Sequence, residues 1–189
     1  MPQAKTLSER ELKIVLAVVA QGRNSIRNRM MILLSHWGGM RVGEIAALKI
    51  GNVINKGGVI TTEIRLSPDQ TKGSKSRSVM LSEKLRNELT AYCRLLKSLS
   101  LTAPLIPSQK RRKGFTANSL GQEFKTIYSR AGVDGATSHS GRRTFITNLA
   151  SKGVGVRVLM ALAGHQSIAT TQLYIDVNDE MKRKAVNLI

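Results

Sequence analysis

Six residues stand out for the chemistry they could do together. Arg41 stands three positions before an acid, Glu44, in Gly39-Met-Arg-Val-Gly-Glu-Ile45. Lys72 lies in Thr71-Lys-Gly-Ser-Lys-Ser-Arg77, a turn-forming stretch. His139 and Arg142 frame His139-Ser-Gly-Arg142. His165 closes Leu162-Ala-Gly-His165, and Tyr174 follows nine residues later in Ala169-Thr-Thr-Gln-Leu-Tyr174. A phenol can form a covalent ester with phosphorus, but its ordinary pKa of about 10 means it needs help. A planar guanidinium matches two phosphate oxygens. Imidazole and ammonium groups carry protons to and from reacting oxygens. Phosphoryl transfer needs these three functions, with fixed positive charge around the phosphorus.

Taken singly, each residue has an ordinary reading. Arg41 and Glu44 could be a surface ion pair, and Lys72 a solvated turn lysine. His139 could open a helix, and Arg142 and Arg143 could touch phosphates. His165 could end a helix, and Tyr174 could belong to the core or its rim. The order and spacing of the set carry the argument.

Those four segments, taken in order, resemble the signature boxes of the tyrosine recombinases, the phage integrase family, and span Gly38 to Tyr174. The resemblance implies that Arg41 and Arg142 clamp the scissile phosphate and that His165 adds a hydrogen bond. Lys72 would protonate the departing 5′-oxygen, His139 would take or share the phenol proton, and Tyr174 would attack. Glu44 would orient Arg41 across an i,i+3 contact. No cofactor is implied. Two positions depart from the family pattern His-x-Leu-Arg-His: Gly141 stands where a packing side chain is usual, and Arg143 where a histidine is usual. Lys75, on the same hairpin, competes with Lys72 for the general-acid role. Lys72 is favoured because it directly follows a strand, as the family lysine does.

Charge agrees with such a partner. Thirty Lys+Arg against twelve Asp+Glu give a formal +18 over 189 residues, which a polyanion explains most simply. Lys72, Lys75, Arg77, Lys110, Arg111, Arg112, Lys113, Arg142 and Arg143 are the expected lining of a surface for double-stranded DNA. RNA binding is an ordinary alternative, and no helix joins a basic face to an aromatic or leucine face for membrane binding. One cysteine, Cys93, and three histidines give no metal-ligand spacing, so no metal is expected. The absence of a signal h-region and of any apolar run long enough to span a bilayer points to a cytoplasmic, nucleoid-associated protein.

The elements that must position these residues are mostly helical. Ser8-Glu-Arg-Glu11 reads as a capping box that opens a helix closed by Gly22. Further helices are expected over Ser25–Trp37, Arg41–Leu48, a Ser82-capped segment, one closed by Gly132, Ser140–Lys152, Val156–Ala163, Thr170–Ile175 and Asp179–Leu188. Between them, Val59–Leu66, Gln70–Lys72 and Arg77–Leu81 read as a small three-stranded antiparallel sheet. The expected fold is thus mostly α with that sheet, a single catalytic domain over 1–189. The N-terminal DNA-gripping domain typical of the family is not expected within it. The chain is then either a naturally short recombinase, resembling the fimbrial phase-switch invertases, or a fragment. The tail after Tyr174 either packs on its own domain or exchanges between protomers of a DNA-bound tetramer. Two other functions fit parts of the pattern: a type IB topoisomerase-like relaxase, and a DNA-binding module without catalysis.

Overall fold

The computed structural model describes residues 4–55, 57–71, 75–96, 100–109, 113–175, 182–183 and 186–187. Helix α1 (Glu9–Ala20) starts where Ser8 accepts from the Glu11 amide and Glu11 reaches back to the Ser8 amide. It turns Leu12, Val15 and Val19 inward. Helix α2 (Ser25–His36) is the central element, because Met30–Leu34 is buried on every side. Around it pack α1, α3 (Val42–Ala47), α4 (Glu83–Arg94) and α6 (Ser140–Ser151). Helix α5 (Ala117–Arg130) lies against α1 and α3 and sends Leu120, Phe124 and Tyr128 into the core. Burying each such large apolar side chain contributes about 1.5–3 kcal/mol.

The sheet has two strands among the described residues, not three. Strand β1 (Glu63–Leu66) pairs antiparallel with β2 (Arg77–Met80), with Ile64 opposite Val79 and Leu66 opposite Arg77. Of the expected middle strand Gln70–Lys72, Gln70 instead ends a 3₁₀ turn, Pro68–Gln70, and Lys72 lies outside the described residues. Pro68 brings no amide hydrogen to a ladder. The Gln70 amide nitrogen donates to the Ala47 carbonyl at 2.8 Å and to Asn52 at 3.0 Å, and its oxygen accepts from the Ser67 amide. Gln70 therefore pins the turn to α3 and has no strand partner.

Two further helices complete the frame. Helix α7 (Val156–Ala163) packs on α6 and α8, and α8 (Ile168–Gln172) leads to Tyr174. The Asp179–Leu188 helix expected from the tail lies largely outside the described residues. Cys93 is buried and free, and burial pushes its thiol up to about 11.

Candidate active site

Two glycines bring the site together at the end of α2. Gly39 has φ +60°, and a Cβ there would lie 2.4 Å from the Phe145 ring on α6. The chain can therefore turn tightly beneath α6 only without a side chain. That turn exposes the Gly39 carbonyl to Arg142, whose Nη1 donates to it at 2.7 Å. Gly141 serves the same packing. A Cβ at 141 would meet Ser35 Oγ at 2.5 Å and the His36 amide nitrogen at 3.2 Å. The departure from the family pattern thus lets α6 sit directly on α2 and carries Arg142 inward, leaving it 4% exposed.

Arg41 is the N-cap of α3. Glu44, 1% exposed, holds it twice: one oxygen accepts from the Arg41 backbone amide at 2.8 Å, the other from Nη1 at 2.8 Å. A carboxylate this deeply buried is stable only when paired. Its second cation is Arg77, whose Nε lies 3.5 Å from the same oxygen.

The three arginines meet at the C-terminus of α7. Arg77 Nη1 and Arg142 Nη2 both donate to the Ala163 carbonyl, and Arg41 Nη2 donates to the Gly164 carbonyl at 3.0 Å. The last carbonyls of a helix lack helical partners and sit at the negative end of its dipole. Three guanidiniums fill that role here, and two of them, Arg41 and Arg77, are paired with Glu44. Burial, then the charges of Arg41 and Arg77, push Arg142 down to about 9, so it stays charged at neutral pH. The cluster carries an excess of buried positive charge, which an anion would relieve.

Gly164 adopts the left-handed conformation that ends α7, and His165 follows it. His165 Nδ1 lies 3.0 Å from Thr171 Oγ1 on α8. Burial, and then Arg142, Arg41 and Arg77, bring His165 down to about 4. At neutral pH it is uncharged. If Nδ1 accepts the Thr171 hydroxyl proton, Nε2 carries the N–H and is a donor. The Tyr174 ring stacks on His165 with 5.5 Å between centroids and 28° between planes. The Arg143 guanidinium stands 5.4 Å from the same phenol ring.

The structure thus brings Arg41, Glu44, Arg142, His165 and Tyr174 into one cluster, with Arg143 at its edge. His139 is exposed at the N-cap of α6, one turn before Arg142, and its amide donates to Thr137. Lys72, Lys110, Arg111 and Arg112 lie outside the described residues. Flanking Lys72, the Thr71 hydroxyl donates to the Lys75 carbonyl at 2.7 Å, and the Lys75 side chain is exposed. Lys113 is exposed at the base of a loop closed by a Pro107–Gly114 bridge. Arg77 is not a surface group: its side chain is 10% exposed and belongs to the buried cluster. Thr171 is the residue that sequence reasoning missed. Its only signal was its place inside the short segment between His165 and Tyr174. Among the described residues, no group of three or more His, Cys, Asp or Glu side chains could hold a metal ion. No helix among them is long and apolar enough to cross a membrane.

The family model described as "Phage integrase family" matches residues 5–181. The chain belongs to the phage integrase family. Among curated relatives, the tyrosine recombinase XerA of Thermococcus kodakarensis is 33% identical over 184 residues, covering 96% of this chain and 61% of that protein. The XerA of Pyrococcus furiosus is 29% identical over 185 residues, covering 96% and 60%. This phage integrase family chain therefore spans about three fifths of the length of those relatives. A solved XerA recombinase superposes with a TM-score of 0.74 at 27% identity, covering 100% of this chain and 63% of that one. The Tn1549 transposon integrase, solved in complex with transposon right end DNA, shares the fold with a TM-score of 0.74 at 16% identity.

Proposed function

We propose that residues 1–189 act as a single catalytic domain that cuts and rejoins double-stranded DNA at specific sites through a 3′-phosphotyrosyl intermediate. The observation that carries this reading is the convergence of Arg41, Arg142 and His165 at the end of α7, with Tyr174 stacked on His165. The excess positive charge there suits one phosphodiester. The family and its named recombinases point the same way.

In this mechanism Arg41 and Arg142 neutralise the non-bridging oxygens as charge builds on them. His165, uncharged, donates one hydrogen bond to the same group. The Tyr174 oxygen attacks phosphorus and gives up its proton, with His139 as the acceptor. The bond from phosphorus to the 5′-oxygen breaks, and Lys72 supplies the proton that oxygen needs. The products are a phosphotyrosine at the 3′ end and a free 5′-hydroxyl. A 5′-hydroxyl from another strand then attacks the phosphotyrosine and regenerates the phenol. The ester link conserves the bond energy, so no nucleotide hydrolysis is needed. Lys75, Arg143 and the Lys110–Lys113 run supply phosphate contacts along the duplex. On DNA in the cytoplasm, four copies would act together, with the tail after Tyr174 free to pack in its own protomer or exchange.

The test is a nicked suicide duplex that loses its 5′-hydroxyl fragment after cleavage. A covalent protein–DNA band from the wild-type chain, absent from Tyr174→Phe, is the expected result. Binding without a band would leave only a DNA-binding module. Relaxation of any supercoiled plasmid without site dependence would point to a relaxase.

A further inference from the structure

Two arginines suffice for the clamp, yet three meet at the end of α7. Arg77 opens strand β2, opposite Leu66, and reaches out of the sheet to donate to the Ala163 carbonyl. Its Nε stands 3.5 Å from Glu44. Its Nε and Nη2 are buried with no hydrogen-bond partner, so it is an interior group. The glycine of Leu162-Ala-Gly-His165 fits around it: a Cβ at 164 would meet Arg77 Nη1 at 2.6 Å and Cδ at 2.8 Å. Gly164 is therefore required twice, by its left-handed backbone and by the passage of Arg77.

We propose that Arg77 is a positioning residue for the phosphoryl transfer assigned above, on which this inference rests. It is a buried strut that ties the hairpin strand to the end of α7 and holds Arg41, Arg142 and His165 in one arrangement. It shares the Ala163 carbonyl with Arg142 and the Glu44 carboxylate with Arg41. Each of its partners keeps another cation if Arg77 is removed. Deleting its charge leaves no orphaned carboxylate or carbonyl, and it relieves repulsion among guanidiniums. A residue kept only for stability would be better replaced by an apolar side chain of similar length. Arg77 is thus placed for geometry at the expense of charge balance.

The experiment measures single-turnover adduct formation at saturating protein on the suicide duplex, beside duplex affinity and thermal midpoint. Arg77→Met is expected to form adduct on the order of 10- to 100-fold more slowly, the scale of a small misplacement of reacting groups. Its affinity should stay within about twofold and its midpoint unchanged or higher, because Arg77 is an interior group and each of its partners keeps another cation. Arg77→Lys should recover part of the rate. The His165 ring, followed by NMR, should titrate at higher pH in Arg77→Met. A full rate in Arg77→Met overturns the inference, as does a loss of affinity that matches the loss of rate. If Arg77→Met does not fold, a full rate in Arg77→Lys overturns it instead, and a slowed rate at unchanged affinity supports it. No adduct from the wild-type chain sinks the recombinase reading and this inference with it. Adduct from the wild type and a full rate in the variant sink this inference alone.

Discussion

The imidazole of His165 and the phenol ring of Tyr174 lie face to face, 5.5 Å apart between centroids. The pair comes from one chain, and its spacing follows from α8, a single short helix between Gly164 and Tyr174. Thr171 on that helix holds His165 Nδ1 at 3.0 Å and, through its carbonyl, accepts from the Tyr174 amide at 3.0 Å. One buried threonine therefore holds both the imidazole and the start of the nucleophile's turn.

Thr171→Val tests that coupling. Valine keeps the shape but removes the hydroxyl, so His165 Nδ1 loses its hydrogen-bond partner. Adduct formation should slow by about tenfold, on the scale of one misdirected donor hydrogen bond. Duplex affinity should hold, because Thr171 is fully buried. Quench-flow measurement with the suicide duplex reads both. An unaltered rate would mean that His165 is oriented by something other than Thr171.

The parts of the fold that sequence exposes are those governed by local rules. Ser8 and Ser82 cap the helices they were expected to cap. Val156–Ala163 is bounded by glycines at 155 and 164 and reads correctly at both ends. The middle strand failed because the side chain of Gln70 bonds to Ala47 and Asn52, 23 and 18 residues away. No local period records such a bond. Arg77 failed for a related reason. An arginine in a hairpin rich in lysine looks solvated, and its burial is decided by Glu44 and Ala163, 33 and 86 positions off. Arg41, Arg142, His165 and Tyr174, which the structure brings together, could be picked out because their types are scarce and their order is specific. Which of them is buried was not legible.

Arg143 tests the departure from the family's second histidine. Its guanidinium stands 5.4 Å from the Tyr174 ring, a contact worth about 0.5–1 kcal/mol at a half-exposed site. Arg143→Ala should slow adduct formation roughly two- to fivefold, the rate equivalent of that energy. The slope of log affinity against log salt should fall by about 1 if the same group also neutralises a phosphate. For the unaltered chain that slope should be steeper than about −4. Titrations of duplex binding at several salt concentrations give both values, and a flat response would mean that the chain has no phosphate-tracking surface.

Acid should destabilise the chain through its histidines. His36, buried with Nδ1 unpartnered, is pushed down to about 4 by desolvation and then by Lys84. His165 is lowered to about 4 as well. In the unfolded chain a histidine protonates near 6.5. Between those two values the unfolded state binds more protons, so stability rises with pH across that window and is lost as pH falls through it. For His36 the loss between pH 7 and pH 4.5 should be about 2 kcal/mol. Urea unfolding at the two pH values should show it, and His36→Leu should flatten the difference by that amount. An equal pH response in His36→Leu would mean that the folded protein accommodates a charged imidazole at this position.

Glu44 is the anion that allows three guanidiniums to share one interior site. It accepts from Arg41 Nη1 at 2.8 Å and lies 3.5 Å from Arg77 Nε, and its own side chain is 1% exposed. Glu44→Gln keeps a carbonyl oxygen for the Arg41 amide but removes the charge. Removing one member of a buried pair costs about 3–5 kcal/mol, because the remaining charge is left uncompensated. The variant should therefore unfold in urea with a stability lower by about 3 kcal/mol at neutral pH. An anion bound between the arginines would replace part of what was lost, and ligands that bind only the folded state stabilise it by mass action. Inorganic phosphate, or a short duplex, should accordingly raise the unfolding midpoint of Glu44→Gln more than that of the wild type. If the variant is as stable as the wild type without added anion, Glu44 does not compensate the cluster. If phosphate stabilises both proteins equally, the arginines do not form the anion site, and the placement of the scissile phosphate between Arg41 and Arg142 is wrong.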